Sequence, residues 1–230
     1  MSQHHPSSRR TPTPKDNADD IFVAKVLQLS QWAATHRQAL IGIGIAAAVL
    51  AAGGLYWKGY QDTLLTQSTQ ELVSIQQTRA FGDPEQAKAD LAVYLQRFSG
   101  TRTADEARLL LGQLELETGD AASAVATLEP LAGSRSPIGM QATFLLAAAH
   151  EEAGQPDEAE RLYLTVANRA DLSFLVRDAL SQAARIRLER GDFTGAAQLY
   201  EEVLTYFEVG DPGRTLYEMR LAEAQTLREG

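Results

Sequence analysis

The sequence predicts an all-α chain: one N-terminal transmembrane helix, then a solenoid of about four helical hairpins, then a C-terminal capping helix. Three observations predict it. Residues 38–57 carry no charge, although 22% of the chain is Asp, Glu, Lys or Arg. Four short stretches echo one another at nearly constant spacing: GDPEQA from Gly82, GDAASA from Gly119, GQPDEA from Gly154 and GDFTGA from Gly191. Ahead of these glycines apolar residues recur at helical spacing, most clearly in ADEARLLLGQLELETG and MQATFLLAAAHEEAG. A repeat of roughly 35 residues marks stacked helical pairs, because a single pair cannot bury its own apolar face.

Composition narrows the function. The 230 residues leave room for one ordinary domain and an appendage. A mean hydropathy of -0.22 is compatible with one span and not with several. The absence of cysteine excludes disulfides, thiolate zinc sites and a cysteine nucleophile. The formal net charge is -9, and the first 38 residues are slightly basic (Arg9, Arg10, Lys15, Lys25 and Arg37 against Asp16, Asp19 and Asp20), so the acidity lies in the body. An acidic body repels a phosphate backbone, and nucleic acid is set aside as a partner.

Taken in order, residues 1–18 are polar and rich in Pro, Ser and Thr, and read as a disordered cytoplasmic tail. His4 and His5 in such a tail make no built metal site. Residues 19–37 read as an amphipathic juxtamembrane helix, capped by Asp19 or Asp20, with Phe22, Val26, Leu29 and Ala33 on one face. Residues 38–57 form the transmembrane helix, since about twenty residues rising ~1.5 Å each cover the roughly 30 Å of hydrocarbon. Trp32 on one side and Tyr56 and Trp57 on the other supply the interfacial rings, and the excess of basic residues ahead of the span keeps the N-terminus in the cytoplasm. A cleaved signal peptide is the competing reading, because AAAVLAAGG offers small residues to a peptidase. The preceding polar region is far longer than a signal's, however, and the apolar run exceeds the usual length of about 7–15 residues, which favours a retained anchor. Within the span Gly44, Ala48 and Ala52 make a stripe that would let a second membrane helix approach, although a short alanine-rich span also contains such a stripe by chance.

Residues 58–230 form the repeat domain. No break signal separates Lys58 from Gly82, so the membrane helix is free to run on as the first helix of the solenoid. In each repeat the Gly ends the first helix in a left-handed conformation and the next residue begins the turn. Pro84 and Pro156 fall where a second helix starts. Five residues beyond each Gly stands an alanine (Ala87, Ala124, Ala159, Ala196), small because the helices cross there. Nine beyond stands a large apolar residue (Leu91, Leu128, Tyr163, Tyr200) that fills the space between hairpins. SGTRT and AGSRSPIG break the chain between hairpins, the second being the expected hinge, and Pro130 closes its helix early. RTLYEMRLAEAQTLREG supplies one more helix to cover the last face.

The spacing of Leu111, Gly112, Gly119, Ala124 and Leu128, repeated as Leu146, Ala147, Gly154, Ala159 and Tyr163, resembles the tetratricopeptide repeat consensus, without its tryptophan. The layout of amphipathic segment, span beginning HRQALIGIGI and four-repeat body resembles the YfgM-like family of ancillary subunits of the bacterial SecYEG translocon. That resemblance implies a single-pass protein of the bacterial inner membrane with a periplasmic tetratricopeptide-like domain. It further implies work beside the translocon and a membrane-bound chaperone of the PpiD type.

No H-x-x-x-H, phosphate loop, serine elbow or clustered Asp string is present, and no cofactor is implied. His36 reads as interfacial and His150 as a helix-packing residue. The pairs Glu115 with Glu117 and Glu151 with Glu152 read as water-facing carboxylates. A non-catalytic scaffold is therefore expected, whose groove is walled by the first helices. The repeat register assigns to that wall Thr69, Leu72 and Gln76; Glu106, Leu109, Gln113 and Leu116; Gln141, Phe144, Ala148 and Glu151; and Asp178, Ser181, Arg185 and Leu188. Its mixture of apolar and acidic residues suits an extended peptide or a partner helix with basic flanks. The alternative function is a structural accessory subunit that packs into and stabilises another multisubunit inner-membrane complex.

Overall fold

The computed structural model describes residues 14–208 and 210–229, and every regular element among them is an α-helix. The chain divides into two units, residues 1–61 and 62–230. The first holds α1 (Pro14–Thr35) and the start of α2 (Arg37–Phe81). α1 begins inside the segment expected to be without structure, with a proline at its first position, where no amide is missed. Residues 1–13, with His4 and His5, lie outside the described residues. His36 alone separates the helices, and the backbone ladder barely pauses there: its amide donates to the Trp32 carbonyl at 3.0 Å and its carbonyl accepts from Leu40 at 2.9 Å. The apolar stretch of α2 is wholly exposed, and among the described residues this is the one helix long and apolar enough to cross a membrane.

The second unit contains the rest of α2, then α3 (Pro84–Phe98), α4 (Thr103–Glu117), α5 (Ala121–Leu128), α6 (Pro137–Glu152), α7 (Pro156–Arg169), α8 (Ser173–Glu189), α9 (Phe193–Leu204) and α10 (Arg214–Glu229). From α3 onward each helix packs on the next. Three of the four repeated glycines take the left-handed conformation, with φ of +78° at Gly119, +74° at Gly154 and +79° at Gly191. At each, the amide of the following residue donates back to a carbonyl of the last helical turn: Asp120 to Glu115 and Gln155 to His150 at 2.8 Å, Asp192 to Arg187 at 2.9 Å. Asp120 and Asp192 then cap the second helix through their side chains, onto the amides of Ser123 and Gly195. Gly82 departs from this pattern. Its backbone is not left-handed, and it is confined instead by a close approach, since an added Cβ would stand 2.6 Å from the Thr78 carbonyl oxygen.

The positions chosen for packing are buried as their chemistry requires. Ala87, Ala124, Ala159 and Ala196 are each 0% exposed, and Leu91, Leu128, Tyr163 and Tyr200 are no more than 2% exposed. Gly112 lies so close to the next helix that a Cβ there would meet Leu128 at 2.5 Å. At the start of the solenoid a buried hydroxyl cluster ties three helices together. The Tyr94 hydroxyl lies 2.7 Å from Thr103 Oγ1 and 3.1 Å from the Ser68 carbonyl oxygen, and Thr103 Oγ1 donates to Ser68 Oγ at 2.9 Å.

α5 ends at Leu128, two residues ahead of Pro130. The segment after it is pinned rather than loose. The Gly133 amide donates to Thr143 Oγ1 at 3.2 Å, and Ser136 caps α6 through the Gly139 amide at 3.0 Å. The apolar core divides elsewhere, between α4 and α5, into a cluster built on α2, α3 and α4 and a larger one running from Ala124 to Ala224.

Two substitutions test this packing. Gly154→Ala forces an L side chain into the left-handed region and is expected to lower the unfolding free energy by about 1–2 kcal/mol. Tyr94→Phe removes one member of the buried hydroxyl cluster and is expected to cost about 1–2 kcal/mol. Denaturant unfolding followed by far-ultraviolet circular dichroism checks both. Tryptophan emission does not report on the repeats, because Trp32 and Trp57 both lie in the N-terminal unit.

Candidate functional site

The first helices α4, α6 and α8 and the final turns of α2 stand side by side, and polar contacts fix their direction. Ser68 meets Thr103 near the start of the repeat-unit part of α2 and of α4, while Arg79 grips Glu117 with two hydrogen bonds of 2.7 and 3.0 Å near their ends. The two helices therefore run parallel. Arg185 near the end of α8 pairs with Glu151 near the end of α6.

This arrangement spreads the wall residues over four neighbouring helices but leaves them unequally available. Leu72 is 3% exposed and packs with Ile75 against Ala87 and Leu91, so it belongs to the core and offers no surface. Thr69, Gln76, Glu106 and Asp178 are exposed. Leu109, Gln113, Leu116, Gln141, Phe144, Ala148, Glu151, Ser181, Arg185 and Leu188 are half-buried. Leu109, Leu116, Phe144 and Leu188 each press one side on the larger core, and the Phe144 ring meets Tyr163 edge-on with centroids 5.1 Å apart.

Of the wall's acidic residues Glu151 is already paired, and so is Glu117 beside the wall. Glu117 accepts from Gln113 at 3.0 Å as well as from Arg79. Arg185 holds Glu151 and Glu189 together, and its Nε donates to Gln182 at 3.0 Å. Burial works against the Arg185 cation, but its bonds to these two carboxylates hold its pKa above the usual value. Of the acidic wall residues only Glu106 and Asp178 lack an ion pair among the described residues.

Beyond α8 the wall continues onto residues that the register did not reach. A cavity of about 470 Å³ is lined by Ser181, Arg185 and Leu188 of α8, Tyr200 of α9, and Leu216, Tyr217 and Arg220 of α10. Burial raises the pKa of the Tyr200 phenol, opposed by the nearby Arg220 cation. The α10 contribution was within reach of the sequence: Gly230 follows α10 as Gly191 follows α8, and the spacing that leads back from Gly191 to Asp178 and Ser181 leads back from Gly230 to Tyr217 and Arg220. Elsewhere, Gly44, Ala48 and Ala52 lie exposed on α2, with open space around Gly44. His150 is half-buried, with Nδ1 2.6 Å from Gln155 Oε1. No group of His, Asp and Glu that could hold a metal is present among the described residues.

With side-by-side hairpins and buried crossing residues established, comparison with known families is direct. Residues 30–226 match the model of the tetratricopeptide repeat-like domain. The chain belongs to that family. The match takes in the apolar helix as well as the repeats. Among solved structures, the chain is similar to a crystal structure from Podosopora anserina described as nearly identical tetratricopeptide-like repeats of kinesin light chain. The TM-score is 0.59 at 18% identity, covering 72% of this chain and 88% of that one, which speaks to the fold alone. The comparison with curated proteins returned no match. Tetratricopeptide-like repeats are a protein-interaction fold.

One carboxylate departs from its sequence reading. Glu115 does not face water; it is 8% exposed between α4 and α5, and its Oε2 has no hydrogen-bond partner among the described residues. Burial raises its pKa above the ordinary 4.5, opposed by a hydrogen bond from Thr127. The folded state therefore binds more protons than the unfolded state from about pH 4.5 up to the raised value, and stability falls as pH rises through that window. Glu115→Gln is expected to flatten this part of the stability profile. It should also raise the melting midpoint at pH 7 by about 2–4 °C, the equivalent of ~1 kcal/mol for a chain of this size. Calorimetry of both proteins between pH 4 and 8 (roughly the span in which a raised glutamate titrates) reads both effects.

Proposed function

We propose that this chain is a membrane-anchored scaffold that binds other proteins through the wall of its first helices. The observation that carries the reading is the row of half-buried apolar side chains on neighbouring parallel helices, Leu109, Leu116, Phe144 and Leu188, with polar residues between them. A partner segment laid across the row would cover their remaining apolar surface while meeting Glu106 and Asp178 with its basic groups. Leu72 is withdrawn from the proposed contact because it is buried. Tyr217 and Arg220 extend the contact at the α10 end.

The anchor is residues 38–57, with residues 1–18 as a cytoplasmic tail, 19–37 as a juxtamembrane helix along the membrane surface, and 58–230 as the exported repeat domain. Support comes from the exposed apolar face of α2, from the basic residues ahead of it, and from a family match that begins ahead of the apolar run. A chain so arranged in a bacterial inner membrane places its repeats in the periplasm. The resemblance in layout to YfgM-like proteins then points to an ancillary role at the Sec translocon beside a PpiD-type chaperone. Catalysis has no part in this reading.

Photo-crosslinkers placed at Gln113, Gln141 and Asp178 of the full-length protein, with Asp120 at a glycine turn as control, test the wall in cells. Capture of the same protein from the wall positions and not from Asp120 is expected, with translocon or chaperone subunits among the products. No capture from any wall position overturns the proposed contact. Stable copurification in mild detergent with a different membrane complex would instead favour the accessory-subunit role, with Gly44, Ala48 and Ala52 as its packing face. Reporter fusions after Gln61 give the orientation, and activity of a cytosolic reporter there would contradict it.

A further inference from the structure

The residue nine places after each repeated glycine fills the space between hairpins, and a hydrocarbon is enough for that task. Leu91 and Leu128 perform it in the first two hairpins, whereas Tyr163 and Tyr200 perform it in the last two, where each residue is 2% exposed. A buried hydroxyl without a hydrogen bond costs stability, so phenylalanine would serve the packing better. Tyr94 shows the contrast, since its hydroxyl is bonded to Thr103 and to the Ser68 carbonyl. The hydroxyls of Tyr163 and Tyr200 have no hydrogen bond among the described residues. Burial raises the pKa of both phenols, which keeps the proton in place for donation.

The Tyr200 phenol lines the cavity of about 470 Å³ walled by α8, α9 and α10. Leu188, Leu216 and Tyr217 give that cavity an apolar side, and Leu216 is 50% exposed. Its charged groups are matched among themselves. Arg185 meets Glu189 at 2.7 Å and also pairs with Glu151, while Arg220 meets Glu223 at 3.0 Å. A charged residue entering there would therefore be desolvated without gaining an unpaired opposite charge from this lining, whereas an apolar one covers leucine surface with a hydroxyl donor beside it. An α-helix uses its carbonyls on its own amides, so a backbone acceptor for that donor comes from an extended segment.

We propose that this cavity is the anchor point of the wall: it takes one uncharged apolar side chain from an extended partner segment, and the Tyr200 hydroxyl donates to a backbone carbonyl of that segment. The proposal rests on the wall-binding reading and adds to it the place and the chemistry of the anchor. A side chain enclosed in a pocket carries more of the affinity than the contacts around it. Glu106 and Asp178 then orient the basic groups of the segment, and the cavity selects the residue that has no charge.

In the full-length protein in cells, a photo-crosslinker at Ser181, which lines the cavity, is compared with crosslinkers at Gln113 and Gln141. Capture of one and the same protein from all three is expected. Tyr200→Phe keeps the ring and removes the hydroxyl. Its denaturation midpoint should equal or exceed the parent's, while capture at Ser181 and Gln141 falls about fivefold, as for one lost hydrogen bond. Leu216→Lys and Leu216→Glu, at a half-exposed position, should each lower capture by at least as much, because either charge faces an uncharged residue. Undiminished capture by Tyr200→Phe overturns the proposal, and so does a lowered midpoint, which would assign the hydroxyl to the fold. A gain in one Leu216 variant with a loss in the other also overturns it, since the cavity would then be reading a charge. Capture from Gln113 and Gln141 with none from Ser181 removes the anchor and leaves the wall standing, whereas no capture from any of the three overturns the wall reading and the anchor with it.

Discussion

Where the two helices of a hairpin cross, their backbones come close enough that a side chain larger than a methyl has no room. Ala87, Ala124, Ala159 and Ala196 fill these crossings with no exposed surface, and Gly112 allows Leu128 to pack directly onto the α4 backbone. The large residue one turn further along the second helix can then reach between hairpins, which is how Leu91, Leu128, Tyr163 and Tyr200 come to be buried. Remove the close crossing and the helices separate, the apolar row between hairpins opens to water, and the first helices lose the alignment that makes them a wall. A repeat protein has contacts only between neighbours, so its binding surface is no better ordered than the crossings beneath it.

Electrostatics acts on top of that packing. The glycine turns concentrate carboxylates at one edge, and the arginines within reach, Arg79, Arg187 and Arg190, bridge successive helices there. Exposed pairs of this kind contribute little each, of the order of a few tenths of a kcal/mol to 1 kcal/mol. Their effect is to remove charge that a sequence reading counts as free. Glu151 of the wall and Glu117 beside it are occupied in this way, which leaves Glu106 and Asp178 as the wall's unpaired acids among the described residues. In the proposed contact, specificity for a partner rests on the shape of the Leu109, Phe144 and Leu188 row together with the unpaired Glu106 and Asp178.

The repeat was legible because its special positions follow from backbone geometry alone. A left-handed residue must be Gly at little cost, a helix start tolerates Pro, and a crossing wants Ala, so Gly119, Gly154, Gly191, Pro84, Pro156 and the four alanines could be read directly. Gly82 shows the limit: the same letter serves a close approach to Thr78 rather than a left-handed turn. Side-chain burial was harder to read. Leu72 and Glu115 both sit on helices whose two sides pack against different neighbours, and one-helix periodicity does not say which neighbour is deeper. Glu115 falls between α4 and α5, and only the three-dimensional packing reveals that its carboxylate is enclosed. The α10 side of the wall carries its register mark in Gly230 and was missed because that helix was read only as a cover for the last face, and the bonds of the segment after α5 were missed because they run to Thr143, ten residues away.

The claim that the crossings carry the fold is open to one direct measurement. Ala159→Leu adds three carbons at a position with no exposed surface, whereas Ala148→Leu adds the same group on the half-buried wall of a neighbouring helix. Equilibrium denaturation of both full-length variants, followed by far-ultraviolet circular dichroism, separates crossing from surface. Ala159→Leu should lose about 1–3 kcal/mol or more while Ala148→Leu stays within about 0.5 kcal/mol of the parent. Equal stability of the two variants would contradict the account.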